Sequence, residues 1–219
     1  MNIGYEFKNV ELLKIALTHI SLANEKGIES NQRLEFLGDS ILSFIVAEYI
    51  YGEFKTFDEG RLTEVRAGAV CEKSLAEAAK KMGLGKGIMF GKSENNCGGM
   101  DKPSILCDTY EAVLGAIYLD GGIEPARKWV MDNLKSTIEA AKDMDFRNYK
   151  SDIQRYYQKR DKGSDVVEYD LVERTGPDHE PSFKVNAVYK GKVIGSGVGR
   201  NRKIAEQAAA KQALGAVEK

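Results

Sequence analysis

Two segments of the chain are almost continuously apolar, and each is interrupted by a pair of acidic residues. Residues 32–46 read QRLEFLGDSILSFIV, and residues 104–119 read SILCDTYEAVLGAIYL. Segments that are apolar on nearly every side are typical of buried helices. Residues three or four positions apart share one face of a helix, and the acidic pairs have this spacing: Glu35 with Asp39, and Asp108 with Glu111. The pattern therefore predicts two buried helices whose carboxylates point where water is scarce.

Helical periodicity also describes most of the chain before residue 142, where no convincing alternation of apolar and polar positions indicates a strand. Three helices are expected: one capped by Asn9 and closed by His19, one capped by Asp58 that continues to Met82, and one with Pro125 in its first turn. Residues 24–31 are expected to form a polar connector, and residues 83–99 a glycine-rich surface loop. Residues 1–141 are therefore predicted to form an all-α domain.

The pattern changes after residues 142–148, a charged segment without periodicity that is predicted to be a linker. A helix follows, then three segments in which apolar and polar residues alternate, and then an alanine-rich helix over 202–217. Residues 149–219 are therefore predicted to form a small α+β domain with α-β-β-β-α order.

Composition alone does not indicate a partner. The 219 residues include 32 Lys and Arg and 33 Asp and Glu, which gives a net charge of -1. Basic residues outnumber acidic ones from Asn148 onward, however, and acidic residues predominate before it, a division that suits a nucleic-acid-binding second domain. No segment approaches the ~18 apolar residues of a membrane span, and the first residues lack a signal pattern. We therefore expect a cytoplasmic protein with no membrane partner.

Residue spacing excludes two further classes of site. The three cysteines, Cys71, Cys97 and Cys107, have neither the CxxC spacing of a zinc site nor the even number of a disulfide framework. They are expected to be ordinary buried or surface thiols. The glycine-rich segment 83–99 lacks the spacing of a phosphate-binding loop. A nucleotide cofactor is therefore not expected.

The four acidic residues require a compensating positive charge. Carboxylates that are removed from water and placed near one another are destabilised unless basic partners, raised pKa values or a cation compensate. The small residues Ala112 and Gly115 would let the second acidic helix approach another helix closely. Four converging carboxylates would form an oxygen site that suits Mg2+, with Mn2+ as a substitute. Such a site predicts metal-assisted hydrolysis of a phosphodiester.

Three segments carry a resemblance to a known family. They are ALTHIS at 16–21, RLEFLGDSIL at 33–42 and SILCDTYEAVLGAIYLDGG at 104–122, and they resemble the signature segments of bacterial ribonuclease III. The matching metal ligands are Glu35, Asp39, Asp108 and Glu111, of which Asp39 and Glu111 are the catalytic pair. The resemblance also implies cleavage of both strands of double-stranded RNA to 5′-phosphate and 3′-hydroxyl ends, in the processing of ribosomal, messenger and transfer RNA precursors.

Three other positions of the first domain bear on this resemblance. By resemblance an acid at Glu59 lies near the metal centre, whereas an ordinary acid in the first turn of a helix is the alternative. Lys102 precedes the second acidic helix, where it would contact an RNA phosphate or be solvated. Gln32 departs from the family pattern, which often has an acid there. That departure removes a contact outside the metal shell.

The end of the chain resembles a second family. The α-β-β-β-α order and the segment GVGRNRKIAEQAAA at 197–210 resemble a double-stranded RNA-binding domain. Arg200, Arg202 and Lys203 stand at the start of a helix whose amides also attract phosphate, and Asn201 is expected to cap that helix. The resemblance implies that the minor grooves of RNA are contacted by Ser151, Gln154, Arg155 and His179. Arg155 departs from the family pattern, which often has an acid at that position.

The chain contains one set of acidic residues and no internal repeat. Because cutting both strands of a duplex requires two such sets, a homodimer is expected. The resemblance implies that Phe36 inserts into a socket on the second subunit. A place in the core of its own subunit is the alternative for this residue.

Two other functions compete with that of a nuclease. One is an RNA-binding protein whose first domain only dimerises, and the presence of all four acids argues against it. The other is a hydrolase that uses two histidines. It is rejected because His19 and His179 fall in different predicted domains, whereas the mechanism would need both at one phosphate.

Overall fold

The computed structural model describes residues 3–143, 148–177 and 179–217. The chain divides between residues 146 and 147 into two compact units, called here the helical unit and the sheet unit. The predicted linker, 142–148, falls around this division, and its residues 144–147 lie outside the described ones. Asp143 ends the last helix of the helical unit, and Tyr149 begins the first helix of the sheet unit. None of the helices in the described ranges combines the length and apolar character that a membrane crossing requires.

The helical unit is all-α, as predicted. Its helices are α1 (Val10–Ala16), α2 (Ile20–Lys26), α3 (Gln32–Glu53), α4 (Glu59–Ala69), α5 (Glu72–Met82), α6 (Lys92–Asn96), α7 (Pro103–Gly121) and α8 (Ile123–Asp143). The short 3-10 turns Leu84–Gly87 and Gly99–Asp101 lie between them. Asn9 and Asp58 cap α1 and α4 through their side chains, and Pro125 lies in the first turn of α8. These three predictions are confirmed.

The predicted role of His19 is wrong. Helix α1 ends at Ala16, and His19 does not close it but caps the start of α2, where its Nδ1 accepts a hydrogen bond from the Ser21 amide. The polar connector consequently starts later than predicted. Helix α2 runs to Lys26 and ends at Gly27, which adopts the left-handed conformation.

Two other predicted boundaries are also wrong. The helix capped by Asp58 does not continue to Met82 but breaks between α4 and α5. Cys71 is extended at the break, and the Ser74 hydroxyl donates to the Gly68 carbonyl at 2.9 Å, so this polar side chain satisfies a helix-end carbonyl. The predicted surface loop 83–99 contains α6, all of one 3-10 turn and the first residue of a second, because its short polar side chains and glycines permit single turns.

Helices α3 and α7 lie at the centre of the helical unit, where both contribute fully buried side chains. At two glycines their backbones come into direct contact. A Cβ atom built at Gly38 would lie 2.6 Å from the carbonyl carbon of Glu111, and one built at Gly115 would lie 3.2 Å from the carbonyl carbon of Leu34. Only glycine therefore lets the two acidic helices cross this closely.

The sheet unit has the predicted α-β-β-β-α order. Its elements are α9 (Tyr149–Asp161), β1 (Glu168–Thr175), β2 (Ser182–Tyr189), β3 (Lys192–Gly199) and α10 (Arg202–Val217), and the strands form an antiparallel sheet in the order β1-β2-β3. Lys190 and Gly191 make the hairpin turn between β2 and β3 with positive φ angles. A Cβ atom at Gly197 would lie 2.6 Å from the carbonyl carbon of Ala208. Strand β3 and the alanine-rich α10 thus pack closely, which fixes the start of α10 beside the end of β3.

The Gly38 contact generates a matched pair of predictions. Gly38→Ala is expected to lower the free energy of unfolding of the helical unit by about 1–3 kcal/mol or more, because the methyl group overlaps the backbone of Glu111. Gly52→Ala, in the same helix, meets no atom within 4 Å and is expected to stabilise by up to ~1 kcal/mol. The fluorescence of Trp129, the single tryptophan, reports unfolding of this unit because the side chain is buried there. Equal effects of the two substitutions would contradict the close crossing.

Candidate metal centre and nucleic-acid interface

The crossing of α3 and α7 brings the two acidic pairs into electrostatic contact. The charges of Asp39 and Asp108 both raise the pKa of Glu35, and Glu111 experiences Asp39, Glu35 and Asp108. The backbone contact at Gly38 explains this proximity, because Gly38 lies between the acids of α3 and touches the backbone of Glu111 itself. We call these four residues the acid centre.

The acid centre is less buried than the sequence predicts. Glu35, Asp108 and Glu111 are half-buried, whereas Asp39 is exposed. The expectation that all four side chains point where water is scarce is therefore wrong for Asp39. Helix α7 covers the Gly38 side of α3 and leaves the Asp39 side open. The acid centre consequently has one side that is accessible from solvent.

Burial raises the pKa values of three of these acids, and neighbouring carboxylates raise them further. The pKa of Glu111 rises from 4.5 to about 8, chiefly through burial and then through the charges of Asp39, Glu35 and Asp108. Burial is also the main reason why the pKa values of Glu35 and Asp108 are raised. Within the described ranges no Lys or Arg forms an ion pair with any of the four. A divalent cation would relieve this repulsion.

One tight group of possible ligand atoms lies on α7. The Sγ of Cys107 and one carboxylate oxygen each from Asp108 and Glu111 all lie within 4.8 Å of one another. Glu35 and Asp39 are not part of this group. Convergence of all four acids on one cation therefore stays a prediction.

Two residues beside the acid centre were not predicted from the sequence to take part in the site. Glu72, exposed in the first turn of α5, exerts the largest charge effect on Asp108 and raises its pKa. Nothing in the sequence distinguishes it from an ordinary acid at a helix start. Cys107 was expected to be an ordinary thiol, yet it belongs to the tight ligand group. Its spacing of four residues from Glu111 is the signal that could have identified it.

The secondary candidates of the helical unit have local partners. The Lys102 ammonium pairs with the Glu94 carboxylate at 2.7 Å. Glu59 is exposed and accepts a hydrogen bond from Thr63, and it is not among the charges that shift the pKa values of Glu35, Asp108 or Glu111. Their roles near the metal or the RNA stay predictions.

Phe36 lies on the surface of the helical unit. Its side chain is 78% exposed, so the alternative that placed it in the core of its own subunit is wrong. Phe44 and Leu119 are each more than half exposed as well. Large apolar side chains exposed together are typical of interaction surfaces.

The basic cluster at the start of α10 contains both free and paired side chains. Arg200 and Lys203 are exposed, and the described residues offer them no ion-pair partner. Arg202 instead donates to the Glu206 carboxylate at 2.9 Å and to the Tyr169 carbonyl at 3.3 Å. Asn201 caps α10 by accepting a hydrogen bond from the Ile204 amide, as predicted. Arg200 and Lys203 are thus the cations of this cluster most available to phosphate.

The other predicted RNA-contacting side chains differ in whether they already have hydrogen-bond or ion-pair partners within the protein. Both ends of the Gln154 amide are engaged, because it donates to the Asp165 carbonyl and accepts from the Val167 amide. Gln154 therefore holds the loop that leads into β1. The remaining three, Ser151, Arg155 and His179, are exposed, and Arg155 lies 3.9 Å from Asp152 in a weak ion pair.

Comparison with known proteins relates both units to established families. A family model described as ribonuclease-III-like matches residues 9–138, and one for the double-stranded RNA binding motif matches residues 149–215. Ribonuclease 3 of Caldanaerobacter subterraneus subsp. tengcongensis is 46% identical over 97% of this chain and 93% of its own length. Ribonuclease 3 of Desulforamulus reducens is 44% identical over 97% of this chain and 87% of its own length.

A solved structure is similar to the helical unit. The nuclease domain of ribonuclease III from Campylobacter jejuni is 43% identical, and the match covers 62% of this chain and 92% of that domain with a TM-score of 0.59. That structure is described as showing flexibility in a region involved in dimer formation.

The raised pKa of Glu111 predicts that the metal-free helical unit loses stability as the pH rises. Between 4.5 and about 8 the folded state keeps a proton that the unfolded state has released, so the unfolded state gains relative stability over this interval. In chelator, the wild-type unfolding midpoint, followed by Trp129 fluorescence, is expected to fall between pH 5 and pH 8 more than that of Glu111→Gln. Glu77→Gln, which removes an exposed acid of α5, is the control and should behave as wild type. Parallel pH profiles for wild type and Glu111→Gln would contradict the prediction.

Proposed function

The chain belongs to the ribonuclease III family, and from this membership we infer that it is an endoribonuclease that cleaves double-stranded RNA. The family match covers the helical unit, a double-stranded RNA-binding motif follows it, and the full-length relatives are ribonuclease 3 enzymes. The enzyme acts in the processing of ribosomal RNA precursors and leaves 5′-phosphate and 3′-hydroxyl ends. The observation that carries the mechanism is the acid centre, which has no basic partner among the described residues.

The acid centre is proposed to bind Mg2+, with Mn2+ able to substitute. The family is metal-dependent, and the choice of ion rests on the chemistry of the donors, because carboxylate oxygens suit these hard ions. The proposed ligands are Glu35, Asp39, Asp108 and Glu111. When bound, the ion supplies an activated water and stabilises the leaving oxygen.

Asp39 and Glu111 have different proposed roles in the hydrolysis. Asp39 is exposed, so its carboxylate would hold the ion on the open side of the site, where the scissile phosphate can enter. Glu111 is fixed by the contact between its own backbone and Gly38, which holds its carboxylate opposite α3. Hydrolysis forms a bond from water oxygen to phosphorus and breaks the bond from phosphorus to the 3′ oxygen. The 3′ oxygen takes up a proton and leaves as the hydroxyl end.

The sheet unit is proposed to hold the RNA duplex through its backbone and minor grooves. The proposed contacts are Ser151, Gln154, Arg155, His179, Arg200, Arg202 and Lys203. Support comes from the motif match and from Arg200 and Lys203 at the start of α10, which have no ion-pair partner among the described residues. The amides at this helix start add attraction for phosphate. Arg202 and Gln154 would serve RNA binding while also holding Glu206 and the β1 loop.

A homodimer is proposed to supply the second acid centre that a double-strand cut requires. Phe36 and Leu119 are exposed and line the same surface cavity, which supports an apolar interface there. The dimer-forming region described for the Campylobacter jejuni nuclease domain supports the same assembly. A purely monomeric protein in sedimentation equilibrium at micromolar concentration would contradict this proposal.

The cytoplasmic location of the protein stays a prediction.

Glu111→Gln is expected to abolish cleavage and to leave RNA binding intact. The substitution keeps the side-chain size but removes a charge that the metal requires, so the cleavage rate should fall by about a hundredfold or more. Labelled duplex RNA incubated with and without Mg2+ measures cleavage, and a mobility-shift titration measures binding. The exposed Glu77→Gln, also a loss of one negative charge, should cut at the wild-type rate.

The same experiment distinguishes the competing function. If wild-type protein binds duplex RNA but leaves it uncut with Mg2+, the chain is an RNA-binding protein without nuclease activity. If Glu111→Gln cuts at the wild-type rate, the proposed acid centre is wrong.

Lys203→Ala is expected to weaken RNA binding and to flatten its dependence on salt. Loss of one phosphate contact reduces the slope of log affinity against log salt by about one. Lys184→Ala is the matched control, because Lys184 is exposed on β2 and alternates with the buried Val185, which places it on the sheet face opposite the helices. Equal salt slopes for the two variants, measured by mobility shift over a salt series, would exclude Lys203 as a phosphate contact.

A further inference from the structure

A thiol lies inside the ligand group of α7. Cys107 and Glu111 are four residues apart and share a helix face, and Asp108 is adjacent. One possible ligand atom from each of the three lies within 4.8 Å of the others. Ligands of one tetrahedral ion, with bonds of ~2.3 Å for sulfur and ~2.0–2.2 Å for oxygen, lie about 3.3–3.7 Å apart. Side-chain adjustments of about 1 Å would therefore place all three around one ion.

The Cys107 side chain lies at the edge of the hydrophobic core of the helical unit. It is only 9% exposed, and it makes no hydrogen bond with the described residues. Cys71, in contrast, is exposed and bonds to the Gly68 carbonyl and the Ser74 hydroxyl. No hydrogen bond within the described residues therefore occupies the Cys107 sulfur, which lies within 4.8 Å of carboxylate oxygens of Asp108 and Glu111.

The thiol divides metal ions by their softness. A hard ion such as Mg2+ prefers oxygen ligands, so the sulfur of Cys107 contributes little to its binding. A thiophilic ion can displace the thiol proton, because sulfur ligands select such ions.

We propose that Cys107, Asp108 and Glu111 form a site for a thiophilic divalent cation, Zn2+ or Cd2+, that competes with the catalytic ion. On binding, the Cys107 sulfur forms a bond to the metal and its proton passes to solvent. Asp108 and Glu111 would be shared with the proposed Mg2+ site, so the competition rests on the proposed function, whereas the thiophilic site itself does not. The site makes the enzyme sensitive to a class of ion that an all-oxygen centre would discriminate against.

Cadmium titration of the full chain tests this site directly. A cadmium–thiolate bond gives an ultraviolet charge-transfer band, which Mg2+ does not give. Protein that carries Cys71→Ser and Cys97→Ser, and so lacks both exposed thiols, is expected to show the band with one equivalent of Cd2+ at the site, as is the wild type. Adding Cys107→Ser or Cys107→Ala to this background should abolish the band and weaken Cd2+ binding by about tenfold or more. Excess Mg2+ should shift the wild-type titration to higher Cd2+ concentration.

The outcomes separate this proposal from the nuclease assignment. A band that is absent from wild type, persists in both folded Cys107 variants, or is unaffected by Mg2+ would overturn the proposed site. Circular dichroism establishes whether each variant is folded. Two different substitutions of Cys107 are used so that the test remains possible if one of them prevents folding. If wild type cuts duplex RNA with Mg2+ but shows no band, only the thiophilic site fails. If the band behaves as expected and RNA stays uncut, only the proposed function fails.

Discussion

Close contact between the backbones of α3 and α7 is the constraint on which the acid centre depends. Gly38 and Gly115 remove the side chains that would separate the helices, and each helix carries its acidic pair next to this contact. Packing of the two helices therefore places their carboxylates close together, although these groups repel each other when charged. The apolar core around both helices supplies the stabilisation that offsets this repulsion.

A strained electrostatic arrangement of this kind is useful when a cation is bound. In the metal-free protein the pKa values of Glu35, Asp108 and Glu111 are raised by burial and by neighbouring carboxylates. These acids have no lysine or arginine pair among the described residues, so their negative potential remains available to an ion. In the proposed function, stability would thereby be exchanged for metal affinity, which is a common pattern at functional sites. Asp39 stays exposed and keeps the centre open to a phosphate.

Regular patterns in the sequence predict the fold classes and the acidic helices well. The apolar segments and the spacing of their acids identify α3 and α7, and alternation identifies β1 to β3. Sequence patterns do not predict a helix boundary that depends on the hydrogen bond of a single side chain. Ser74 terminates α4 by bonding to Gly68, and His19 caps α2 where it was expected to close α1.

Tertiary proximity is the part of the site that sequence patterns do not contain. Glu72 reaches Asp108 from another helix, and the exposure of Asp39 depends on which side of α3 is covered by α7. Likewise, the hydrogen bonds of Arg202 and Gln154 go to loop and strand positions that are distant in the chain. Anomalous diffraction from crystals soaked in Mn2+ would show whether the acid centre binds a divalent cation. We expect a peak coordinated by carboxylates of both α3 and α7. A structure with no peak there, or with Mn2+ only at other surface acids, would contradict cation binding by the acid centre.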